Sequence, residues 1–282
     1  MRYIGFRRDG AVQVGALAED GTVTAVGEVN EFWKDPFAAT RRAADGAALP
    51  ALRLDSLDLV PPVRPSARVL CVGLNYAKHV DEGPFDPPEY PTVFARWTAS
   101  LAVADTPVAV PPGEAGLDWE GELVAAVGRP LSQAEEGEAF GAVFAYAAFN
   151  DITARRAQKL TTQWTIGKNA DNSGPLSPFV TADEVGDPAQ GLRVRTTVNG
   201  ETVQDGTTSD MVFGVGTLLS FLSRCFTLQP GDLVATGTPN GVGYARTPPW
   251  LLNAGDVVTV DIEKVGSVRT PVIAGPAAAG SR

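Results

Sequence analysis

Short apolar runs separated by turn residues dominate the chain after residue 67. "RVLCVG", "PTVFARW", "ELVAAVG", "AVFAYAAF", "LRVRTTV", "LVATG" and "DVVTVDIE" are rich in valine and aromatic residues and are bounded by Gly, Pro, Asn or Asp. Runs of this length and composition predict strands. Asn199-Gly200, between "RTTV" and "ETVQDG", predicts a tight hairpin, because both residues tolerate positive φ. After Ser209-Asp210 the period changes, and "MVFGVGTLLSFLSR" carries an apolar face at helical spacing. The first sixty residues read as a smaller unit. Two alternating runs flank Glu19-Asp20-Gly21, and "DPFAATRRAADG" offers Asp35 as N-cap, Pro36 at the first helical position and Gly46 past the end. The proline-studded "VPPVRPSA" (60–67) is the linker candidate. The pattern predicts a β-rich α+β chain with a small N-terminal α+β domain at 1–63, a larger domain at 64–275 and a frayed tail at 276–282.

Composition narrows the class. Hydrophobic content of 44% and charged content of 20% suit a globular chain with a sizeable core. A formal charge of −10 argues against a nucleic-acid surface, since phosphate neutralisation needs clustered Lys and Arg. No apolar run approaches the roughly 20 residues a membrane helix needs. "MRYIGFRRDGAVQVG" is broken by charge before an apolar core forms, so a cytoplasmic location is expected. Cys71 and Cys225 stand far apart and are read as two reduced thiols. His79 is the single histidine, so a zinc site of the His/Cys kind cannot be built. A metal would need oxygen donors, which favours Mg²⁺, Mn²⁺ or Ca²⁺.

Oxygen donors are available. Glu120 and Glu122 in "LDWEGELVAAVG" lie two apart on an expected strand and so share one face. The bland reading is an exposed acidic edge, but flanking Leu117, Trp119, Leu123 and Val124 argue for burial. Asp151 ends the apolar run "AVFAYAAFND". Three such carboxylates arriving from strand ends would supply one face of an octahedral Mg²⁺ site. After Asp151, the stretch to residue 179 has no sustained period, and a loop of that length in a compact domain points to function. The "GVG" at 214–216 lies inside the expected helix, without the strand-turn-helix setting of a dinucleotide site, and is rejected as one.

The blocks "GLNYAKHVDE", "LDWEGELVAAVG", "FNDITARRAQ", "GKNADNSGP", "VQDGTTSDMVFGVGTLLSFLS", "LQPGDLVATGTPNGVG" and "LLNAGDVVTVDI", in that order, resemble the fumarylacetoacetate hydrolase family over residues 68–272. The resemblance implies a mixed β-sheet roll, a small N-terminal domain, a homodimer and a divalent metal. It also implies chemistry beside a 2-oxo acid or β-diketo acid. By it, Glu120, Glu122 and Asp151 are metal ligands, and His79 and Glu82 form the dyad that activates water. Lys168 would meet developing negative charge, while Gln158, Thr238 and Arg155 would bind substrate. The residues are compatible with those roles. Asn75 could cap a short turn that puts His79 and Glu82 at i and i+3 on one face. The polar, Gly- and Pro-rich segment around them, 75–89, is expected to be a mobile lid.

Four departures from the family pattern bear on the substrate. Arg96 stands where many members have lysine, and Arg156 where aspartate is common, which would reverse a charge near Asp151. Asn172 replaces a frequent threonine, and "TASLAVADTPVAVP" is shorter than the usual glycine-containing turn. The expectation is a Mg²⁺- or Mn²⁺-dependent hydrolase cleaving a C–C bond in an acylpyruvate-like β-diketo acid. Other readings are a decarboxylase or isomerase of a 2-oxo dicarboxylic acid, a 2-oxo-3-deoxy sugar acid dehydratase or hydrolase, and a non-catalytic ligand-binding relative.

Overall fold

The computed structural model describes residues 1–44, 51–80 and 88–276. The N-terminal runs form β1 (Arg2–Arg8), β2 (Ala11–Leu17), β3 (Thr22–Glu28), β4 (Ala51–Arg53) and β5 (Leu59–Val60). β6 (Val69–Gly73), β7 (Thr92–Arg96), β8 (Leu101–Val103), β9 (Val108–Ala109), β10 (Gly121–Val127) and β11 (Val143–Asn150) follow. The remainder are β12 (Gly174–Leu176), β13 (Phe179–Thr181), β14 (Arg193–Val198), β15 (Glu201–Thr207), β16 (Leu233–Ala235), β17 (Val257–Ile262) and β18 (Gly266–Ile273).

Every residue of β10 and β11 is buried. Continuous apolar runs are what a strand covered on both faces requires. Alternate side chains feed two cores. Leu123, Ala125 and Val127 join Tyr146, Ala148 and the helix Val215–Cys225 in one. Val124, Ala126, Ala145 and Phe149 join Tyr3 and Trp33 in the other. Among the described residues, one sheet runs β4-β3-β2-β1-β13-β11-β10-β16-β6-β7, and a second runs β15-β14-β17-β18-β9. β16 pairs with β6 in parallel and β10 with β11 antiparallel, so the large sheet is mixed. This is the β-rich α+β roll that the sequence predicts.

The turn chemistry agrees. Asn199 and Gly200 take φ of 50° and 85°, both left-handed, as a two-residue hairpin demands. Asp35 accepts from Ala38 N–H at 2.9 Å and caps the helix Pro36–Ala44, whereas Gly46 lies outside the described residues. The helix begins at Val215, so Gly214 is its N-cap rather than the interior residue the sequence predicts. Gly216 serves packing, since a Cβ there would sit 2.9 Å from the Glu136 carbonyl. Cys71 is buried and Cys225 exposed, and neither forms a disulfide. No helix among the described residues is long and apolar enough to cross a membrane.

Candidate active site: a buried carboxylate cluster below an apolar cavity

The register of two strands assembles the acids. Gly121 faces Asn150 across the antiparallel β10–β11 pair, and one step further the Asp151 N–H donates to the Glu120 carbonyl at 2.8 Å. Glu120, Glu122 and Asp151 thereby arrive at one end of the pair. Each is buried and offers a carboxylate oxygen, and these oxygens lie within 4.8 Å of one another.

Three carboxylates this close repel one another unless cations intervene. Lys168 Nζ lies 2.7 Å from Glu120 Oε2 and 2.7 Å from Asp151 Oδ2. Arg155 spans Glu120 Oε1 and Asp118 Oδ2, at 2.7 Å each, and the Arg96 Nε pairs with Asp151 Oδ1. Burial opposes ionisation of Glu120, yet Lys168 and Arg155 hold its carboxyl well below the usual range. Burial works against the Lys168 ammonium too, but Asp151 and Glu120 outweigh it and raise its pKa. Glu122 differs: burial, then Asp151 and Glu120, push it well up, and its Oε2 accepts from the Gly237 N–H at 2.9 Å. Four carboxylates (Asp118, Glu120, Glu122 and Asp151) thus face three cations. Glu120, Glu122 and Asp151 bring three carboxylate oxygens together with no nitrogen or sulfur donor among them. An all-oxygen donor set of this kind fits a divalent cation, whose charge would relieve the repulsion that helps push Glu122 up.

A cavity of about 520 Å³ opens on this cluster. Glu120, Glu122, Lys168, Arg155, Gln158 and Thr238 line it, as does the half-buried His79. Gln158 Oε1 accepts from Arg155 at 3.0 Å. The Thr238 hydroxyl donates to the Gly121 carbonyl at 2.9 Å and accepts from Gln204 Nε2 at 2.8 Å. Gly237, at φ 93°, lets the "TGTP" turn close on the β6 end, since a Cβ there would lie 3.0 Å from both the Val72 carbonyl and the Asn75 Cβ. Every site residue singled out in the sequence and described in the structure is therefore in or beside one cavity. Glu82 and the middle of the expected lid, 81–87, lie outside the described residues.

Two expectations are corrected. Asn75 does not cap the turn Ala77–Val80: its Oδ1 accepts from Phe213 N–H at 2.8 Å and its Nδ2 donates to the Phe213 and Thr236 carbonyls at 3.0 and 2.8 Å. A buried amide is best satisfied by tying three loops together. Arg156 does not bring its charge to Asp151. It is exposed, and its N–H donates to Glu114 Oε2 at 3.0 Å. Neighbours on a helical turn point about 100° apart, and it is Arg155 that turns inward.

Asp118 escapes the sequence reading. It is fully buried, and its oxygens accept from Arg155 and from the Trp119, Gly243 and Tyr244 N–H groups, linking the cluster to the "TGTPNGVG" loop. The alternation of acids at 118, 120 and 122 carried the signal.

Residues 68–273 match the family described as fumarylacetoacetate (FAA) hydrolase, C-terminal. The chain is 37% identical over 276 residues to a 2,4-didehydro-3-deoxy-L-rhamnonate hydrolase of Sphingomonas sp. (strain SKA58), covering 96% of each. It is 36% identical over 225 residues to a mitochondrial oxaloacetate tautomerase of Xenopus laevis, covering 79% of this chain and 70% of that one. The solved structure of fumarylpyruvate hydrolase from Pseudomonas aeruginosa, in complex with Mn²⁺ and pyruvate, is similar with a TM-score of 0.68 at 33% identity. The match covers 77% of this chain and 92% of that one. Hydrolase and tautomerase relatives support an enzyme, and the Mn²⁺-bound relative together with the carboxylate cluster supports a divalent metal. Matched over most of its length, the chain belongs to the fumarylacetoacetate hydrolase family.

Proposed function

We propose that the protein is a divalent-metal-dependent hydrolase that cleaves a C–C bond in an acylpyruvate-like β-diketo acid. The observation that carries this reading is the placing of His79 on the same cavity as Lys168 and the buried carboxylates. Glu120, Glu122 and Asp151 would hold Mg²⁺ or Mn²⁺, which when bound supplies Lewis-acid polarisation of the substrate's oxygens. His79 takes a proton from water, and Glu82 would orient its imidazole. The hydroxide adds to the distal carbonyl, the bond to the methylene carbon breaks, and its electron pair passes into the enolate of pyruvate. The ammonium of Lys168 stands beside the oxygens where that charge collects. Arg155, Gln158 and Thr238 would hold the 2-oxo acid's carboxylate; with Gln158 Oε1 engaged by Arg155, the amide's N–H end is left to donate.

Purified protein with Mg²⁺ or Mn²⁺ is expected to release one pyruvate per acetylpyruvate consumed, and chelation should abolish the release. Absence of turnover across an acylpyruvate panel would overturn the reading. The rhamnonate hydrolase relative would then favour a 2-oxo-3-deoxy sugar acid, and the tautomerase relative an enolising reaction on oxaloacetate. The metal assignment has its own measurement. In calorimetric titration Asp151→Ala should lose metal binding by more than the roughly 10–100-fold typical of an outer-shell change; unchanged affinity would sink the assignment.

A further inference from the structure

The floor and the walls of the cavity differ in chemistry. At the floor the charges engage one another: Lys168 with Glu120 and Asp151, Arg155 with Asp118 and Glu120. The walls include Val72, Phe94, Trp164, Val242 and the ring of Tyr244. Trp164 reaches the cavity because position 73 has no side chain, since a Cβ there would lie 2.4 Å from Trp164 Cζ3. Phe94 meets the indole edge-on, with centroids 5.5 Å apart, and its ring lies 5.1 Å from Lys168 Nζ. The aromatic wall therefore begins where the charged floor ends.

The placing of His79 decides which end of the substrate meets this wall. His79 follows β6 by six residues, and Gly73, the seat of the indole, is the last residue of β6. His79 and Trp164 line the same cavity, so a carbonyl attacked by a His79-activated water would present the group that hangs from it to the lining that includes Trp164. Lys159 also lines the cavity, with its Nζ 3.4 Å from the Tyr244 ring centroid. The side chains of Val72, Phe94 and Val242, however, have no hydrogen-bonding group, so a hydroxylated chain packed against those three would give up water partners without replacement there.

We infer that the cavity selects a β-diketo acid whose acyl end is apolar and bulky, aryl or branched alkyl, with Trp164 and Phe94 as the specificity-determining wall. This rests on the hydrolase reading above for the reaction, though not for the binding preference. Apolar pockets discriminate by about 10–200-fold per methylene-sized difference. Benzoylpyruvate should therefore exceed a dihydroxyalkyl acylpyruvate in kcat/KM by at least ~10-fold. Trp164→Ala should collapse the benzoylpyruvate-to-acetylpyruvate ratio by ~10-fold, mainly through KM, and Trp164→Phe should restore most of it.

Binding separates this inference from the reaction. 2-Oxo-4-phenylbutanoate lacks the second carbonyl and cannot be cleaved. Titrated into Mn²⁺-loaded protein, it should bind at least ~10-fold more tightly than pyruvate, with the advantage lost in Trp164→Ala. That preference without any acylpyruvate turnover would sink the hydrolase reading and leave the apolar wall standing. Equal binding of the two acids, or faster turnover of the hydroxylated substrate, would overturn the wall.

Discussion

His79→Ala is expected to lower acylpyruvate hydrolysis by about 10²–10⁴-fold, the usual worth of a positioned general base. Metal and oxalate binding should persist, because the carboxylates proposed to hold the metal stand at the start of β10 (Glu120 just before it, Glu122 within it) and just past the end of β11, apart from the turn that carries the imidazole. That turn should also survive the change, since the His79 backbone N–H donates to the Tyr76 carbonyl at 2.9 Å whatever the side chain. Oxaloacetate decarboxylation supplies the contrast. It needs stabilisation of developing charge but no base to deprotonate water, so it should fall much less while Lys168 remains. Both activities measured on the same preparation, with metal affinity from calorimetry, decide the matter. Equal falls in both, or no fall in either, would mean that His79 is not the base.

Arg96→Met is expected to destabilise the fold by about 3–5 kcal/mol, the typical cost of removing one partner from a buried ion pair. Arg96 and Asp151 have side chains that are each 0% exposed. All five guanidinium N–H donors can be accounted for. Besides Asp151, they reach Ser100 Oγ at 3.2 Å, Ser173 Oγ at 3.0 Å, the Ile152 carbonyl at 2.7 Å and the Ser173 carbonyl at 3.0 Å. Methionine fills similar space but takes the donor from Asp151 Oδ1 and from the Ile152 carbonyl, while Lys168 still pairs with Asp151 Oδ2 and the Ile152 N–H still donates to the Ser173 carbonyl. Arg96→Lys should be milder, keeping the charge while losing the fork geometry. Denaturant unfolding of the three proteins would show this order. Because Arg96 holds Asp151 Oδ1, metal affinity should also weaken, by about 10–100-fold in Arg96→Met. Wild-type stability in that variant would show that the guanidinium does not support the cluster.

The departure at Arg96 thus has a physical account: the fork braces an acid at the end of a strand and two loop carbonyls together. The departure at Asn172 has a smaller one. Its φ of 60° is left-handed, a conformation asparagine adopts more readily than a β-branched threonine. In the shorter turn within "TASLAVADTPVAVP", Asp105 takes the left-handed conformation at φ 65°, and its N–H donates to the Arg269 carbonyl.

Much of the scaffold was legible because it is written in local periods. Valine-rich runs, Asn199-Gly200 and the apolar stripe of 215–225 each settle their own conformation within a few residues. The acids were legible as types and as a pair two apart, which on any strand share a face. The long stretch after Asp151 was not, because its helical pieces, Arg155–Gln158 and Thr165–Lys168, are single turns too short to show a period. Its function could be suspected from length alone, but not its contacts.

What the sequence by itself determined was therefore the longer strands with a clear apolar run, the oxygen-only donor chemistry and the single candidate base. Short strands such as β8, β9, β12 and β13 emerge only in the structure. Tertiary structure alone decided that Asp151 stands beside Glu120, that Arg155 rather than Arg156 turns inward, that Asn75 ties loops instead of capping a turn, and that Trp164 fills the space above Gly73. Each of these depends on strand register or loop closure between residues up to about 160 apart, as from Asn75 to the Thr236 carbonyl. Periodicity reports which face a side chain takes on its own element. Which partner it meets there follows only when the elements pack and every buried charge and amide must find an opposite.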